Sequence, residues 1–298
     1  MYDEAIRPGM KLILFNGCLA LLLPFFFIGE YISTNKPATQ KLVDQVEAIS
    51  MRPNHDVVVE PFQTNFKQTS HDLSFNAVLV SGTELFINYT GLEGSNPKEM
   101  GYTLYLWQGI QAENQSEAKA SQPILNTDQD GSVVFQNLQI SSRDYVVGIA
   151  TSNASNLFSV ATVAHIPNNA VPYDTINSKP SAIQVIYYGS NSLVAQFDTP
   201  LFNTPDKNEN WVGLFRGKFN ANLFKGVGLV KWIPVSTITT NSGDVAINNI
   251  PGGLAFDSYY TLVYGIGFPD TNSSHNKNFI YNIICATEFR TAPRTNNN

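Results

Sequence analysis

Cysteine and charged side chains are both scarce in this chain of 298 residues. It contains two cysteines, Cys18 and Cys285, and 14% of its residues are charged. A disulfide framework and a zinc ribbon are excluded, because each is built from more cysteines than the chain has. The four histidines show no spacing typical of metal ligands. We therefore expect no metal and no other cofactor.

Basic residues are too few for a nucleic-acid-binding protein. The chain has 18 Lys and Arg against 24 Asp and Glu, which gives a net charge of −6 and a pI near 5.2. Binding to nucleic acid depends on a dominant basic face that releases phosphate counterions. Nucleic acid is therefore not expected as a partner.

Catalytic motifs are also missing. The sequence has no G-x-S-x-G nucleophile elbow, no glycine-rich phosphate loop, no H-E-x-x-H and no paired C-x-x-C. His71 and Asp72 are only neighbours in sequence and do not make a triad. The sequence predicts that the protein is not an enzyme and acts by binding.

One long uncharged apolar run is present, at residues 12–28. Its 17 residues would span roughly 26 Å as a helix, and residues 29–32 extend it toward the roughly 30 Å of a hydrocarbon core. Arg7 and Lys11 precede the run and orient the tail, residues 1–11, to the cytoplasm. We predict an uncleaved transmembrane anchor at 12–32. Cleavage as a signal peptide is the alternative, although no A-x-A-like site follows the run.

The remaining chain is then expected outside the cytoplasm, in a periplasmic, lumenal or extracellular space. Residues 33–70 are predicted as a stalk, because Leu42, Val46 and Ile49 follow Pro37 at the spacing of an amphipathic helix. The end of this stretch is a connector that can contribute an edge strand. Cys18 and Cys285 would lie on different sides of this arrangement, so no disulfide is expected between them.

From about residue 71 the apolar residues recur with a period of two. The segments are short, rich in β-branched and aromatic residues, and separated by Gly, Asn, Asp and Pro. This pattern predicts an all-β sandwich. The clearest segments are residues 75–80, 84–89, 102–107, 132–138 and 144–149.

The strand pattern occurs twice. FNAVLVSGTELFINYTG, from Phe75, aligns without gaps on IQVIYYGSNSLVAQFDT, from Ile183. This order predicts a duplication, with sandwich repeats at 71–168 and 180–293, a linker at 169–179 and a polar tail at 294–298. Four shorter matches follow in the same order: GYTLYLWQG with NWVGLFRGK, GSVVFQNL with GDVAINNI, YVVGIA with LVYGIG, and VAT with CAT.

About seven short strands in about 100 residues fit an immunoglobulin-like or fibronectin type III-like sandwich. In the second repeat, NWVGLFR from Asn210, WIPV from Trp232, GDV from Gly243 and YYTLVY from Tyr259 resemble the SKICH-type sandwich and the fibronectin-like N-terminal module of purple acid phosphatases. The resemblance implies a fold. It implies no phosphatase chemistry, because no catalytic domain of that family follows.

A loop specific to the second repeat is the strongest candidate binding site. Residues 216–232, which we call the basic-aromatic loop, contain no carboxylate. On an acidic protein this loop predicts a contact surface for an acidic partner, a glycan or a lipid headgroup. The alternative is that its aromatic rings close the sandwich and its lysines are merely solvated. The candidate residues are Arg216, Lys218, Phe219, Phe224, Lys225, Lys231 and Trp232.

A weaker candidate is a calcium-binding turn. Asn126, Asp128 and Asp130, followed by Gly131, place oxygen ligands at alternate positions. The twelfth position is Asn137, where a calcium loop has a bidentate Glu. An ordinary hairpin turn is therefore the favoured interpretation.

The sequence thus supports two hypotheses of different classes. The first is a single-pass membrane protein whose sandwiches act in adhesion, as a scaffold or in assembly, through other protein subunits or cell-surface molecules. The second is a receptor for a glycan or another acidic ligand that uses the basic-aromatic loop.

Overall fold

Strands form where β-branched and aromatic residues alternate with polar ones, and they end at Gly, Asn, Asp and Pro. The computed structural model of the chain describes residues 63–64, 66–152, 158–235, 237–267 and 282–294. The predicted tail, the predicted anchor and most of the predicted stalk lie outside these residues. Within the described part of the chain, no helix is long and apolar enough to cross a membrane.

The predicted all-β class is confirmed. The only helices among the described residues are two short 3-10 turns, Gln115–Glu117 and Ala221–Lys225. The strands are β1 (Gln68–Asp72), β2 (Ser74–Ser81), β3 (Glu84–Thr90), β4 (Thr103–Gln108), β5 (Ala120–Pro123), β6 (Asp130–Phe135), β7 (Tyr145–Ser152), β8 (Phe158–Ile166), β9 (Thr175–Asn177), β10 (Lys179–Pro180), β11 (Ala182–Tyr188), β12 (Leu193–Asp198), β13 (Trp211–Arg216), β14 (Leu229–Pro234), β15 (Ser242–Ile247), β16 (Tyr259–Gly265) and β17 (Ile283–Arg290).

The strands form four antiparallel sheets, consistent with β-sandwich repeats. The first pair of sheets has the strand orders β6-β3-β2-β9 and β10-β8-β7-β4-β5. The second pair has the orders β11-β12-β15 and β1-β17-β16-β13-β14. Contacts of β2 with β8, and of β11 with β16 and β17, join the two sheets of each pair. The core between them is apolar, because alternate residues of each strand point inward.

Equivalent backbone positions make the duplication visible. β2 pairs with β3 through Phe75 and Tyr89, and β11 pairs with β12 through Ile183 and Phe197, as the ungapped alignment requires. After β6 and β15, Asn137 and Asn249 both take the left-handed conformation, with φ of 59° and 53°. Asparagine adopts this conformation more readily than most residues. The ungapped alignment therefore agrees with the pairing at the outer end of the hairpin, whereas the β-bulge lies between Leu79 and Ser81 in β2 and between Val185 and Tyr187 in β11, so the pairing next to the turn differs.

The alignment of YVVGIA with LVYGIG is wrong by two residues. In the sheets, Gln108 of β4 pairs with Tyr145, whereas Arg216 of β13 pairs with Tyr260. Gly109 and Gly217 follow β4 and β13, both with positive φ, so Gln108 is equivalent to Arg216 and the predicted match of GYTLYLWQG with NWVGLFRGK is itself displaced by one residue. Tyr145 is thus equivalent to Tyr260 and not to Leu262. A shift of two residues leaves every side chain on the same face of a strand, so an apolar pattern of period two does not detect it.

Each repeat receives an edge strand from the segment that precedes the other repeat. β1 is separated from β2 by one residue, Leu73, yet β1 pairs with β17 of the second repeat, placing Asp72 opposite Cys285. β10 directly precedes β11, yet it pairs with β8 of the first repeat, placing Pro180 opposite Thr162. We call this arrangement the reciprocal strand exchange.

The two exchanged strands are equivalent in register, which makes Thr162 equivalent to Cys285 and displaces the predicted match of VAT with CAT by two residues. Where β1 ends, the N–H of Leu73 donates to the carbonyl of Ile284 at 3.3 Å, and where β10 ends, the N–H of Ser181 donates to the carbonyl of Ala161 at 3.1 Å. In addition, β9 pairs with β2. The stretch predicted as a linker, 169–179, therefore contains β9 and the start of β10.

Side chains fix the exchanged strand β1 on the second repeat. The Gln68 amide donates from Nε2 to the carbonyl of Val185 at 2.9 Å, and its Oε1 accepts from the N–H of Val185 at 2.8 Å. Phe66 packs against Tyr188 and Phe289, with ring centroids 5.0 and 5.8 Å apart. The segment before the first repeat is thereby part of the second repeat's core.

Replacement of Gln68 tests this attachment. Gln68→Ala removes both bonds to the Val185 backbone, and we expect a loss of about 1–3 kcal/mol in the free energy of unfolding, measured by chemical denaturation. Gln184→Ala is the matched control, since the Gln184 amide bonds to Gln196 on an exposed face. We expect the control to change stability by less than about 0.5 kcal/mol. Equal effects of the two variants would contradict the attachment.

Candidate functional site

The basic-aromatic loop folds as a capped 3-10 turn between β13 and β14. Asn220 Oδ1 accepts from the N–H of Asn222 at 2.9 Å, which caps the start of the turn. Gly226 ends it in the left-handed conformation, with φ of 72°. The loop therefore has a defined shape that its own sequence encodes.

Two aromatic rings of the loop are buried. Phe219 is 6% exposed and Phe224 is 1% exposed. The Phe219 ring stacks on the imidazole of His71, with centroids 4.4 Å apart, and the Phe219 N–H donates to Glu288 Oε2 at 3.2 Å. His71 belongs to the exchanged strand β1. The two phenylalanines therefore pack inside the protein, as the alternative interpretation of the loop holds. Trp232 is half-buried against the same core.

The loop also touches the first repeat. A β-carbon added at Gly94 would overlap the β-carbon of Ala221, so the two backbones approach closely there. Gly94 itself has φ of 80°, which favours glycine. Phe202 stands at the position of the second repeat equivalent to Gly94, and it packs on Trp107 and the residues around it in the first repeat. The loop after β3 in the first repeat and the equivalent loop after β12 in the second repeat therefore each contact the other repeat.

Cations gather beside the loop, around Tyr259 at the start of β16. Lys218 Nζ lies 4.4 Å from the centroid of the Tyr259 ring, and Arg290 Cζ lies 5.3 Å from the same centroid. Arg290 also pairs with Asp257, with Nη2 to Oδ1 at 2.8 Å. Cations over an aromatic face are held by the ring quadrupole. Two of the positive charges are therefore held close together.

Further residues extend this cluster. Arg294 Cζ lies 6.0 Å from the ring centroid of Phe256, whose side chain is 46% exposed. Arg216 ends β13 opposite Tyr260, next to Tyr259, and is exposed to solvent. Lys225 is exposed as well, on the 3-10 turn of the loop. We call the whole cluster the cationic end of the second repeat. Its members are Arg216, Lys218, Phe256, Tyr259, Arg290 and Arg294.

Lys231 has a different role from the other lysines of the loop. Its Nζ donates to the carbonyls of Asn248 and Asn249, at 2.5 and 3.3 Å. Those carbonyls follow β15, and Asn249 is one of the left-handed residues. Lys231 therefore stabilises a turn.

The side chain of Asn126 organises the turn that was the weaker, calcium-binding candidate. Asn126 Oδ1 accepts from the N–H of Asp128 at 3.1 Å, and Nδ2 reaches the carbonyl of Asp130 at 3.5 Å. This is the geometry of an Asx turn, and it leads into β6. Over the residues for which the structure gives positions, no group of three His, Cys, Asp or Glu is placed to hold a metal ion. The prediction of a hairpin is wrong, because β5 pairs with β4 and β6 pairs with β3, so this Asx turn leads from one sheet of the first repeat to the other.

Burial raises the pKa of several tyrosines and of one cysteine. The largest shifts belong to Tyr102 and Tyr264, whose hydroxyls are desolvated. Burial likewise raises the pKa of the Cys285 thiol well above its ordinary value. A thiol held in its protonated form is a poor nucleophile. The hydroxyls of Tyr102 and Tyr264 and the thiol of Cys285 are therefore parts of the packed core.

No family model fits the chain, and no curated protein is similar to it in sequence.

The buried ring of Phe219 gives a stability test of the loop. Phe219→Ala opens a cavity against His71 and Phe224, and we expect it to cost about 3–5 kcal/mol in the free energy of unfolding. Lys225→Ala, in the same loop but exposed, is expected to cost less than about 0.5 kcal/mol. Thermal or chemical unfolding measures both. A Phe219→Ala variant as stable as Lys225→Ala would show that the ring is not packed in this way.

The close contact at Gly94 gives a second test. Gly94→Ala adds a β-carbon at a positive φ, which costs about 1–2 kcal/mol, and also forces it against Ala221, which adds about 1–3 kcal/mol. Gly252→Ala is the matched control, because Gly252 has φ of 74° and open space around it. The difference in unfolding free energy between the two variants isolates the contact between the repeats. Equal losses would argue against that contact.

Proposed function

We propose that the protein is a membrane-anchored scaffold or adhesion protein without catalytic activity. Residues 12–32 hold it in the membrane, and its sandwiches contact other protein subunits or cell-surface molecules outside the cytoplasm. The observation that carries this proposal is the reciprocal strand exchange. A body whose two halves complete each other's sheets presents its surfaces at fixed positions, which a scaffold requires and which two flexibly linked modules do not provide.

We also propose that the sandwiches are of the immunoglobulin-like or fibronectin type III-like kind. In the second repeat, β11-β12-β15 face β17-β16-β13-β14, which is an antiparallel two-sheet arrangement of about seven strands. The hydroxyl of Tyr145 accepts from the N–H of Ser141 at 3.1 Å, and that of Tyr260 accepts from the N–H of Ala255 at 2.8 Å.

A buried tyrosine bonded to backbone a few residues upstream is the tyrosine corner of immunoglobulin-like sandwiches. Trp211, on β13, is fully buried as well, and it lies against Gly213 and Gly265. The likeness of the second repeat to SKICH-type and purple acid phosphatase modules concerns fold alone.

The chemistry of the described residues supports a role in binding. The groups with raised pKa are buried tyrosines and a buried cysteine, and each is protonated near neutral pH. Such groups supply neither a nucleophile nor a general base. The ionic contacts of the second repeat, such as Arg290 with Asp257, lie on its exposed surface.

The second candidate function is a receptor for a glycan or another acidic ligand. The convergence of Lys218 and Arg290 on Tyr259 favours it. In that case, replacing Arg216, Lys218 and Lys225 together by Gln should abolish binding to an acidic ligand and leave the fold intact.

Cross-linking in intact native membranes tests the scaffold proposal. We expect the full chain to remain in the membrane fraction after an alkaline wash and to form discrete cross-linked adducts with other proteins. Mass spectrometry of the adducts identifies the contacting residues on the sandwiches. A chain that is released by the alkaline wash has no anchor. A chain that stays anchored and yields no adducts is not a scaffold.

A further inference from the structure

Charge is segregated along this chain. Residues 74–180 contain nine Asp and Glu against four Lys and Arg, whereas residues 182–294 contain seven against eight. Six of those eight basic residues lie on the β13–β14 hairpin or at the end of β17. They are Arg216, Lys218, Lys225, Lys231, Arg290 and Arg294. A negatively charged protein thus carries a local positive surface on its second repeat.

The acidic residues of the second repeat lie mostly at its other end. Asp198 ends β12, and Asp206 and Glu209 lie between β12 and β13, whereas Arg216 ends β13. Of the carboxylates near the cationic end, Asp257 pairs with Arg290 and Glu288 accepts from the Phe219 N–H. Asp257 is thereby paired with a cation, whereas Glu288 keeps its negative charge, so four cations face two carboxylates at this end. The positive charges of Arg216, Lys218 and Arg294 remain to attract anions.

The chain from the predicted anchor arrives at this same end. The N–H and the carbonyl of Gln63 bond to the backbone of Tyr188. The Tyr188 hydroxyl in turn accepts from the N–H of Ala292 at 2.8 Å, and Ala292 stands between Arg290 and Arg294 in sequence. The first described residues of the chain thus lie beside the cationic end. If the proposed function is correct, the chain that leads from the membrane therefore joins the second repeat at this end.

We propose that the cationic end of the second repeat docks on the surface of an anionic phospholipid bilayer. This inference rests on the proposed membrane anchor. A bilayer that contains phosphatidylserine attracts spread, solvated cations, and each Lys or Arg near it strengthens binding roughly fivefold. The exposed side chains of Phe256 and Val227 supply apolar edges beside those cations.

A bilayer suits this end better than a glycan does. Sugar rings stack on open aromatic faces, but Lys218 and Arg290 lie over the ring of Tyr259, and Arg294 lies over that of Phe256. Phe219 and Phe224, which could have offered further faces, are buried. A flat anionic surface requires only accessible charge.

Lysine footprinting tests the docking. The full chain is reconstituted into vesicles of phosphatidylcholine alone and into vesicles that also contain phosphatidylserine, and a membrane-impermeant acetylating reagent is added. Mass spectrometry gives the acetylation rate of Lys218 relative to Lys179, whose side chain is 72% exposed beside Asp198, away from the cationic end. We expect the ratio to fall about fivefold in the anionic vesicles and to recover at high salt, because salt screens charges at a surface.

A charge variant and a matched control sharpen the result. Arg216→Gln with Arg294→Gln removes two charges from the cationic end and should restore the Lys218 ratio in anionic vesicles. Lys119→Gln with Arg143→Gln removes two exposed charges from the first repeat and should leave the protection unchanged. Equal Lys218 ratios in the two kinds of vesicle would overturn the proposal. So would protection of Lys218 by a soluble acidic polysaccharide and not by phosphatidylserine.

An alkaline wash of the same vesicles separates the two proposals. A chain that withstands the wash and shows no lipid-dependent protection is anchored and does not dock. A chain that the wash removes, but whose Lys218 is protected by phosphatidylserine before the wash, docks on the lipid without an anchor.

Discussion

Two short antiparallel ladders, β1 on β17 and β10 on β8, determine how the rest of this molecule is held together. In each ladder, the strand comes from the segment that leads into one repeat, and its partner, β17 or β8, belongs to the other repeat. Unfolding either sandwich would therefore strip an edge strand from its neighbour. The exchange also covers one edge of each larger sheet, and uncovered edges are sites of unwanted pairing.

The basic-aromatic loop depends on the same exchange. Phe219 packs on His71, which is a residue of β1, so the exchanged strand supplies part of the surface on which the loop rests. The loop in turn meets Gly94 of the first repeat through Ala221. With its rings turned inward, the loop leaves its cations outside. The division between buried rings and exposed cations follows from the burial of apolar area and from the cost of desolvating a charge.

Local patterns in the sequence predict local structure well. Alternation and turn residues identify the strands, and the ungapped match from Phe75 and Ile183 reproduces the register at the outer end of the first hairpin in both repeats. The strand partners of β1 could not be predicted in this way. β1 lies over 200 residues from β17 in sequence, and the period of a strand gives no information on which sheet edge it joins.

The candidate site shows the same limit. The composition of residues 216–232 indicates a loop that is both basic and aromatic, but not which of its side chains are buried. Phe219 faces a histidine that lies almost 150 residues earlier in the chain. Tyr259 and Arg290 come from strands outside the loop, and only the sheet brings them to Lys218. The positive charge of repeat two was the one signal in the sequence that could have pointed to them.

Hydrogen exchange in increasing urea tests the central claim most directly, because it reports the opening of each sandwich separately. Peptides from β3 and β6 follow the first repeat, and peptides from β12 and β15 follow the second. The reciprocal strand exchange predicts that all four lose protection with the same free energy and the same dependence on urea. A first repeat that opens while β12 and β15 stay protected would contradict it.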